Sequence, residues 1–187
     1  TEGCTPEKHG THVLIVTGDR DSFQLVNDCV HILVPAQGKN GEIEFDAAAV
    51  VRRMGVTPEQ IIDYKALSGD ASDNIPGIQG IGPKTAINLL QEFGSVNNMY
   101  EEIKNQTDKV KTSKALKAST LKKVAEGYDM AMMSQKLATI DVNVPIKITL
   151  DDCVVTGYDK AKAVETFQKF NFNSLIHSLP PDELENS

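Results

Sequence analysis

Along the first fifty residues, apolar side chains come in short unbroken runs bounded by turn formers. The run His12-Val13-Leu14-Ile15-Val16-Thr17 stops at Gly18-Asp19, the pattern of a strand buried on both faces in a parallel sheet. A short helix over 22–27 and a second strand over 30–34 follow. A polar turn at 37–41 then leads into 42–45, where alternation predicts an exposed hairpin strand. This is the grammar of an α/β fold.

From Asp46 onward the apolar spacing becomes helical. Asp46 is placed to cap a helix that runs to Arg53 and stops at Gly55, and Thr57-Pro58-Glu59-Gln60 is a capping box with proline at the first helical position. The helix it opens carries Ile61, Ile62, Tyr64, Lys65 and Leu67 and ends at Gly69. The stretch Gly77-Ile78-Gln79-Gly80-Ile81-Gly82 leads into a further helix, with Pro83 at its start, Ala86, Leu89, Leu90 and Phe93 on its apolar face, and Gly94 as its stop. Residues 136–140 are expected to form a return strand and 161–170 a last helix. Met130, Met132 and Met133 read as core packing. The acidic stretch from Pro180 reads as a mobile tail.

Two acidic pairs carry the candidate chemistry. Gly18-Asp19-Arg20-Asp21 sets two carboxylates just past the carboxyl end of a strand, where open α/β sheets bind ligands. Gly69-Asp70-Ala71-Ser72-Asp73-Asn74 sets two more, three positions apart, in the turn after a helix. Each pair alone has an ordinary explanation as a helix or turn cap. Brought together, the four would repel unless cations neutralised them. Oxygen donors without His or Cys suit magnesium or manganese better than zinc.

Next to the second pair stands Gly77-x-x-Gly80-x-Gly82-Pro83-Lys84-Thr85. Bare glycines there would let backbone N–H groups approach a phosphate, at a helix N-terminus whose dipole favours anions. Lys84 runs against that dipole, and a phosphate partner would account for it. As an isolated motif the turn reads equally as an ordinary interhelical connection.

The net charge of −7 argues against a general polyanion binder. Its distribution is uneven: 104–123 holds Lys104, Lys109, Lys111, Lys114, Lys117, Lys122 and Lys123 against Asp108 alone, which suits either a solvated face or a DNA-facing one. Cys4, Cys29 and Cys153 are far apart and form no C-x-x-C spacing, so neither a disulfide framework nor a zinc site is suggested. No apolar run approaches the roughly 20 residues that span a bilayer. A cytoplasmic chain without membrane contact is expected.

The segments Thr17-Gly18-Asp19-Arg20-Asp21-Ser22-Phe23-Gln24-Leu25-Val26, Ala66-Leu67-Ser68-Gly69-Asp70-Ala71-Ser72-Asp73-Asn74-Ile75-Pro76-Gly77 and Gly80-Ile81-Gly82-Pro83-Lys84-Thr85-Ala86 together resemble the 5′ nuclease domain of bacterial DNA polymerase I, in the flap endonuclease superfamily. The similarity runs from about Glu7 to Leu179. It implies part of a PIN-like parallel sheet flanked by helices, followed by a helix-hairpin-helix (helix-3-turn-helix) module. On that reading, 1–56 is a partial α/β nuclease core with its hairpin, and 57–130 is the DNA-binding region. Residues 131–179 supply a return strand and helix, and 180–187 the tail.

The resemblance also implies a reaction and a site. Asp19, Asp21, Asp70 and Asp73 would be the catalytic and metal-holding carboxylates of a two-metal centre for magnesium or manganese. Gly77, Gly80, Gly82, Lys84 and Thr85 would contact the DNA backbone, with potassium at the glycine turn, and Lys111, Lys114 and Lys117 would face DNA. The substrate would be DNA with a 5′ flap, nick or branch, hydrolysed in the 5′ to 3′ direction in replication and repair.

The chain departs from that family at its start. Members carry, before the strand that ends at Asp19, a strand with a metal-binding Asp, a basic helical arch and an acidic cluster. Residues 1–12 offer only Glu2, Glu7 and Lys8, so an upstream nuclease segment and a fused or associated polymerase are the expected partners. The competing reading is a noncatalytic DNA-binding module. An aspartyl-phosphate phosphatase is disfavoured, because no Gly-Thr follows Asp19-Arg20-Asp21 and too few strands separate the motifs.

Overall fold

The structure is a computed structural model that describes residues 12–35, 43–149, 151–154 and 157–180. The turn expected at 37–41, the chain start before His12 and the tail from Pro181 lie outside those residues. Contacts divide the chain into two compact units, 1–142 and 143–187.

In the first unit, β1 (Val13–Val16) pairs in parallel with β2 (Val30–Val34), and β2 pairs antiparallel with β3 (Ile43–Phe45). The parallel pairing and the hairpin strand match the sequence pattern. The double-sided burial of β1 does not: Val13, Leu14 and Val16 are 41%, 49% and 63% exposed. β1 lies at the edge of the sheet, and among the described residues only β2 pairs with it. Where a helix was expected over 22–27, a tighter 3-10 helix forms at Arg20–Leu25. Its start is set by Asp19, whose carboxylate accepts from the Asp21 N–H at 2.9 Å, an N-cap bond that pulls the turn forward.

Asp46 caps α1 (Ala47–Met54) by accepting from the Ala49 N–H, and left-handed Gly55 ends it. The capping box before α2 (Ile61–Ser68) does more than cap. Gln60 Oε1 accepts from the Thr57 N–H at 3.1 Å, while its Nε2 donates to the carbonyls of Leu90 and Gly94. That side chain ties the start of α2 to the end of α3 (Pro83–Phe93).

Helix α2 is the axis of the unit. It packs on α3 and on α7 (Tyr128–Ala138), with α4 (Val96–Lys104), α5 (Asp108–Thr112) and α6 (Ala118–Glu126) completing the helical layer. Ile61, Asp63, Lys65, Ala66 and Leu67 are all buried, on every side of the helix. Around them lie Leu89, Leu90, Phe93, Val96, Met99, Val124 and Ala131. Full burial of each larger side chain stabilises by roughly 1.5–3 kcal/mol, so α2 is a rigid platform. Asp63 is spent internally, accepting from the Val96 N–H at the start of α4 and from Gln135 Nε2.

The return strand expected over 136–140 is not formed. α7 continues to Ala138, since Lys, Leu and Ala are strong helix formers on an established helix. Gln24 then takes the backbone groups that a strand would have paired: its Nε2 donates to the Ala138 carbonyl at 3.0 Å and its Oε1 accepts from the Ile140 N–H at 2.9 Å. Met130 and Met133 are each 45% exposed, and only Met132 packs partly against the core.

The second unit contains α8 (Lys160–Lys169) and α9 (Asn173–Ile176). Asp159 caps α8 by accepting from the Lys162 N–H. Left-handed Asn171 turns the chain, so that Phe172 meets Phe167 edge-on at 6.4 Å.

Candidate metal centre and glycine turn

Three of the four predicted carboxylates converge. Asp21 comes from the 3-10 helix after β1; Asp70 and Asp73 come from the turn after α2. One oxygen from each lies within 4.8 Å of the other two. The turn is fixed by backbone pairing, with Asp70 and Ile75 exchanging both N–H to carbonyl bonds at 2.8 Å. Left-handed Gly69 and Asn74 allow that reversal. Asp70 Oδ1 accepts from the Ser72 N–H and hydroxyl, which leaves Oδ2 facing the cluster.

At the centre of the three acids sits the ammonium of Lys65, on the last turn of α2. Nζ hydrogen-bonds to Asp21 Oδ1 and lies 2.7 Å from Asp70 Oδ2 and 3.6 Å from Asp73 Oδ2. Its side chain is only 5% exposed, whereas those of Asp21 and Asp70 are a fifth or more exposed and that of Asp73 is half exposed. Burial alone would pull this lysine down. The hydrogen bonds and charges of Asp21 and Asp70 outweigh it and raise Lys65 above its ordinary value. The Lys65 hydrogen bond, aided by Ser72, holds Asp70 down to about 2. Three carboxylates face one cation here, so the cluster keeps a net negative charge.

The sequence pattern places Lys65 on this helix without marking a role for it. The available signal was a charged residue on a helix whose neighbours Ile61, Ala66 and Leu67 are core, five positions before Asp70. Asp19 is placed differently from the other three: its Oδ1 caps the 3-10 helix through the Asp21 N–H, and its own N–H donates to Thr17 Oγ1. It holds the peptide that carries Asp21.

The glycine turn follows directly. Gly77 is buried and left-handed, and its N–H donates to Ser134 Oγ on α7 at 3.0 Å. Gly80 is exposed and left-handed, and its carbonyl accepts from Lys123 Nζ at 3.2 Å. Gly82 has ordinary extended backbone, and a Cβ there would meet nothing within 4 Å. Lys84 is exposed and Thr85 half-buried in the first turn of α3. The lysine that reaches the turn is Lys123, from α6. Lys111, Lys114 and Lys117 are exposed, and Lys111 pairs with Asp108 at 3.0 Å. Among the described residues no helix is long and apolar enough to cross a membrane.

Solved structures share this fold. A T5 5′-exonuclease with divalent metal ions (zinc) bound superposes on 68% of this chain and 42% of its own, with a TM-score of 0.55 at 23% identity. The catalytic core of Rad2 covers 83% of this chain and 53% of its own, with a TM-score of 0.50 at 20% identity.

The chain belongs to the family described as 5′-3′ exonuclease, C-terminal SAM fold, which matches residues 56–161. It is similar to DNA polymerase I of Bacillus caldotenax, 39% identical over 179 residues that make up 96% of this chain and 19% of the polymerase. DNA polymerase I of Synechocystis is 40% identical over 185 residues, 96% of this chain and 18% of that protein. The chain thus spans about a fifth of the length of these relatives.

Proposed function

We propose that this chain is the cation-holding and duplex-gripping part of a metal-dependent 5′ nuclease that hydrolyses DNA at 5′ flaps, nicks or branches within a protein of the DNA polymerase I kind. The observation that carries the reading is the meeting of Asp21, Asp70 and Asp73 around one buried cation, the Lys65 ammonium. A cluster of oxygen donors that already requires a positive charge fits magnesium or manganese. A divalent cation bound there supplies Lewis-acid activation of water and stabilisation of the leaving oxygen in phosphodiester hydrolysis.

The chain's own residues hold and aim. Asp21, Asp70 and Asp73 supply ligand oxygens; Asp19 orients Asp21 and adds its charge to the same edge. Gly77 shapes the turn from inside, while Gly80, Gly82, Lys84 and Thr85 face the phosphate backbone, so recognition is of strand path rather than base sequence. Lys111, Lys114 and Lys117 add long-range attraction. Lys123 on the Gly80 carbonyl puts a cation where the resemblance gives a potassium ion. A T5 flap endonuclease solved with DNA and metal ions, which shares this fold, supports the reading. The remaining ligands and a polymerase are the partners it requires.

Gly82 gives the test. Its backbone suits any residue and its surroundings are open, so the fold favours glycine there only mildly, as the N-cap of α3, whereas a phosphate lying against it leaves no room for a Cβ. Gly82→Ala is expected to melt within about 4 °C of wild type, since replacing an N-cap glycine by alanine costs about 1 kcal/mol. Its affinity for a 5′-flap duplex in EDTA should fall about tenfold, equally for all sequences. Unchanged affinity would count against the turn as a DNA contact.

A further inference from the structure

We propose that Lys65 is a built-in counter-ion which a divalent cation must displace, so that the chain's metal affinity is set by competition with its own ammonium. The inference rests on the metal-site reading above and concerns how that site is filled.

The ammonium and a metal ion would compete for one volume. Lys65 Nζ touches or approaches one oxygen of each acid: Asp21 Oδ1, Asp70 Oδ2 and Asp73 Oδ2. The ligand oxygens lie within 4.8 Å of one another. Opposite ligands of one magnesium ion stand roughly 4.2 Å apart, at about 2.1 Å each. An ion bridging these acids would therefore take the position that the ammonium fills, and the two cannot share it.

Charge accounts for the lysine. Without a cation, three carboxylates this close would repel and splay. The ammonium keeps the turn after α2 drawn against the 3-10 helix, so the ligand set stays assembled when no metal is bound. Lys65 has a flexible four-carbon stem rooted on a rigid helix, so its head can leave while α2 stays in place. Asp63, the other acid on α2, is taken by Val96 and Gln135 and offers no internal refuge. The head must move outward, toward the exposed side of Asp73. A metal ion then pays for entry by breaking these contacts, which makes the site weaker than a bare three-carboxylate site.

The test is manganese(II) titration, followed by calorimetry at fixed pH and ionic strength, of the wild-type chain, Lys65→Met and Asp70→Asn. Lys65→Met keeps the stem and removes the charge. It is expected to bind manganese at least about tenfold more tightly than wild type, while Asp70→Asn loses the site. If Asp70→Asn abolishes wild-type binding but Lys65→Met binds no more tightly, the counter-ion proposal fails and the metal site stands. If wild type shows no binding that Asp70→Asn removes, the metal site itself fails.

A second measurement avoids the folding of any variant. Acetylation of Lys65 in the wild-type chain, read by peptide mass spectrometry, should rise at least threefold on saturation with manganese as the head is expelled. Unchanged labelling in a chain that binds manganese overturns the proposal.

Discussion

Asp70→Asn, introduced into a polymerase-length protein that carries this segment, is expected to abolish 5′-flap cleavage and to leave flap binding in EDTA within threefold of wild type. The asparagine keeps the shape of the side chain and the oxygen that accepts from Ser72, so the turn after α2 stays formed. What goes is the charge at Oδ2, the oxygen 2.7 Å from Lys65 Nζ. Metal-assisted phosphodiester chemistry draws several kcal/mol of transition-state stabilisation from the ion, so its loss corresponds to roughly a thousandfold or more in rate. The check is single-turnover cleavage of a labelled flap with magnesium, beside a binding isotherm. Cleavage within tenfold of wild type would remove Asp70 from the site. A wild-type protein that binds flaps and cuts none would favour the noncatalytic DNA-binding module.

Gly77→Ala is expected to destabilise the fold strongly. Gly77 has a φ of +62°, and a Cβ there would stand 2.2 Å from the backbone nitrogen of Gly69 and 2.7 Å from its Cα. Both neighbours are backbone, pinned by the Asp70 and Ile75 pairing on one side and by the Ser134 hydroxyl on the other. Left-handed strain alone costs about 1–2 kcal/mol, and the clash adds enough overpacking to bring the total to about 4 kcal/mol or more. In a chain of this size that is a fall of about 10 °C in melting temperature, or failure to fold. Thermal melts followed by circular dichroism read it directly. A variant that melts within 3 °C of wild type would show that the two backbone segments do not cross as described. The contrast with Gly82 separates two reasons for glycine in one motif: one is demanded by the fold, the other, on the proposed reading, by a phosphate outside it.

Much of this arrangement was legible in the sequence because it is encoded locally. The capping box at Thr57 to Gln60, the caps at Asp46 and Gly55, and Pro83 at the head of α3 each act within one helical turn. β-branched runs announced β1 and β2. The acidic pairs and the glycine turn were visible as spacings with a chemical consequence.

What escaped depends on long-range partners. The burial of β1 depends on what lies across it, which an apolar run does not state. Residues 136–140 look extended until Gln24, more than a hundred positions earlier, is seen to take their backbone groups. Lys65 read as one more helical residue because its meaning comes from three acids on two other segments. Asp19 and Asp21 were alike as letters, yet the N-cap geometry of the 3-10 helix turns one to its own backbone and the other to the cluster.

The most direct measurement of the proposed metal centre is anomalous diffraction at the manganese edge, from crystals of the chain grown with manganese(II). A peak between the carboxylates of Asp21, Asp70 and Asp73, with the Lys65 ammonium moved out of its place among them, is the predicted result. Manganese bound only elsewhere on the surface, with Lys65 still seated among the three acids, would contradict it.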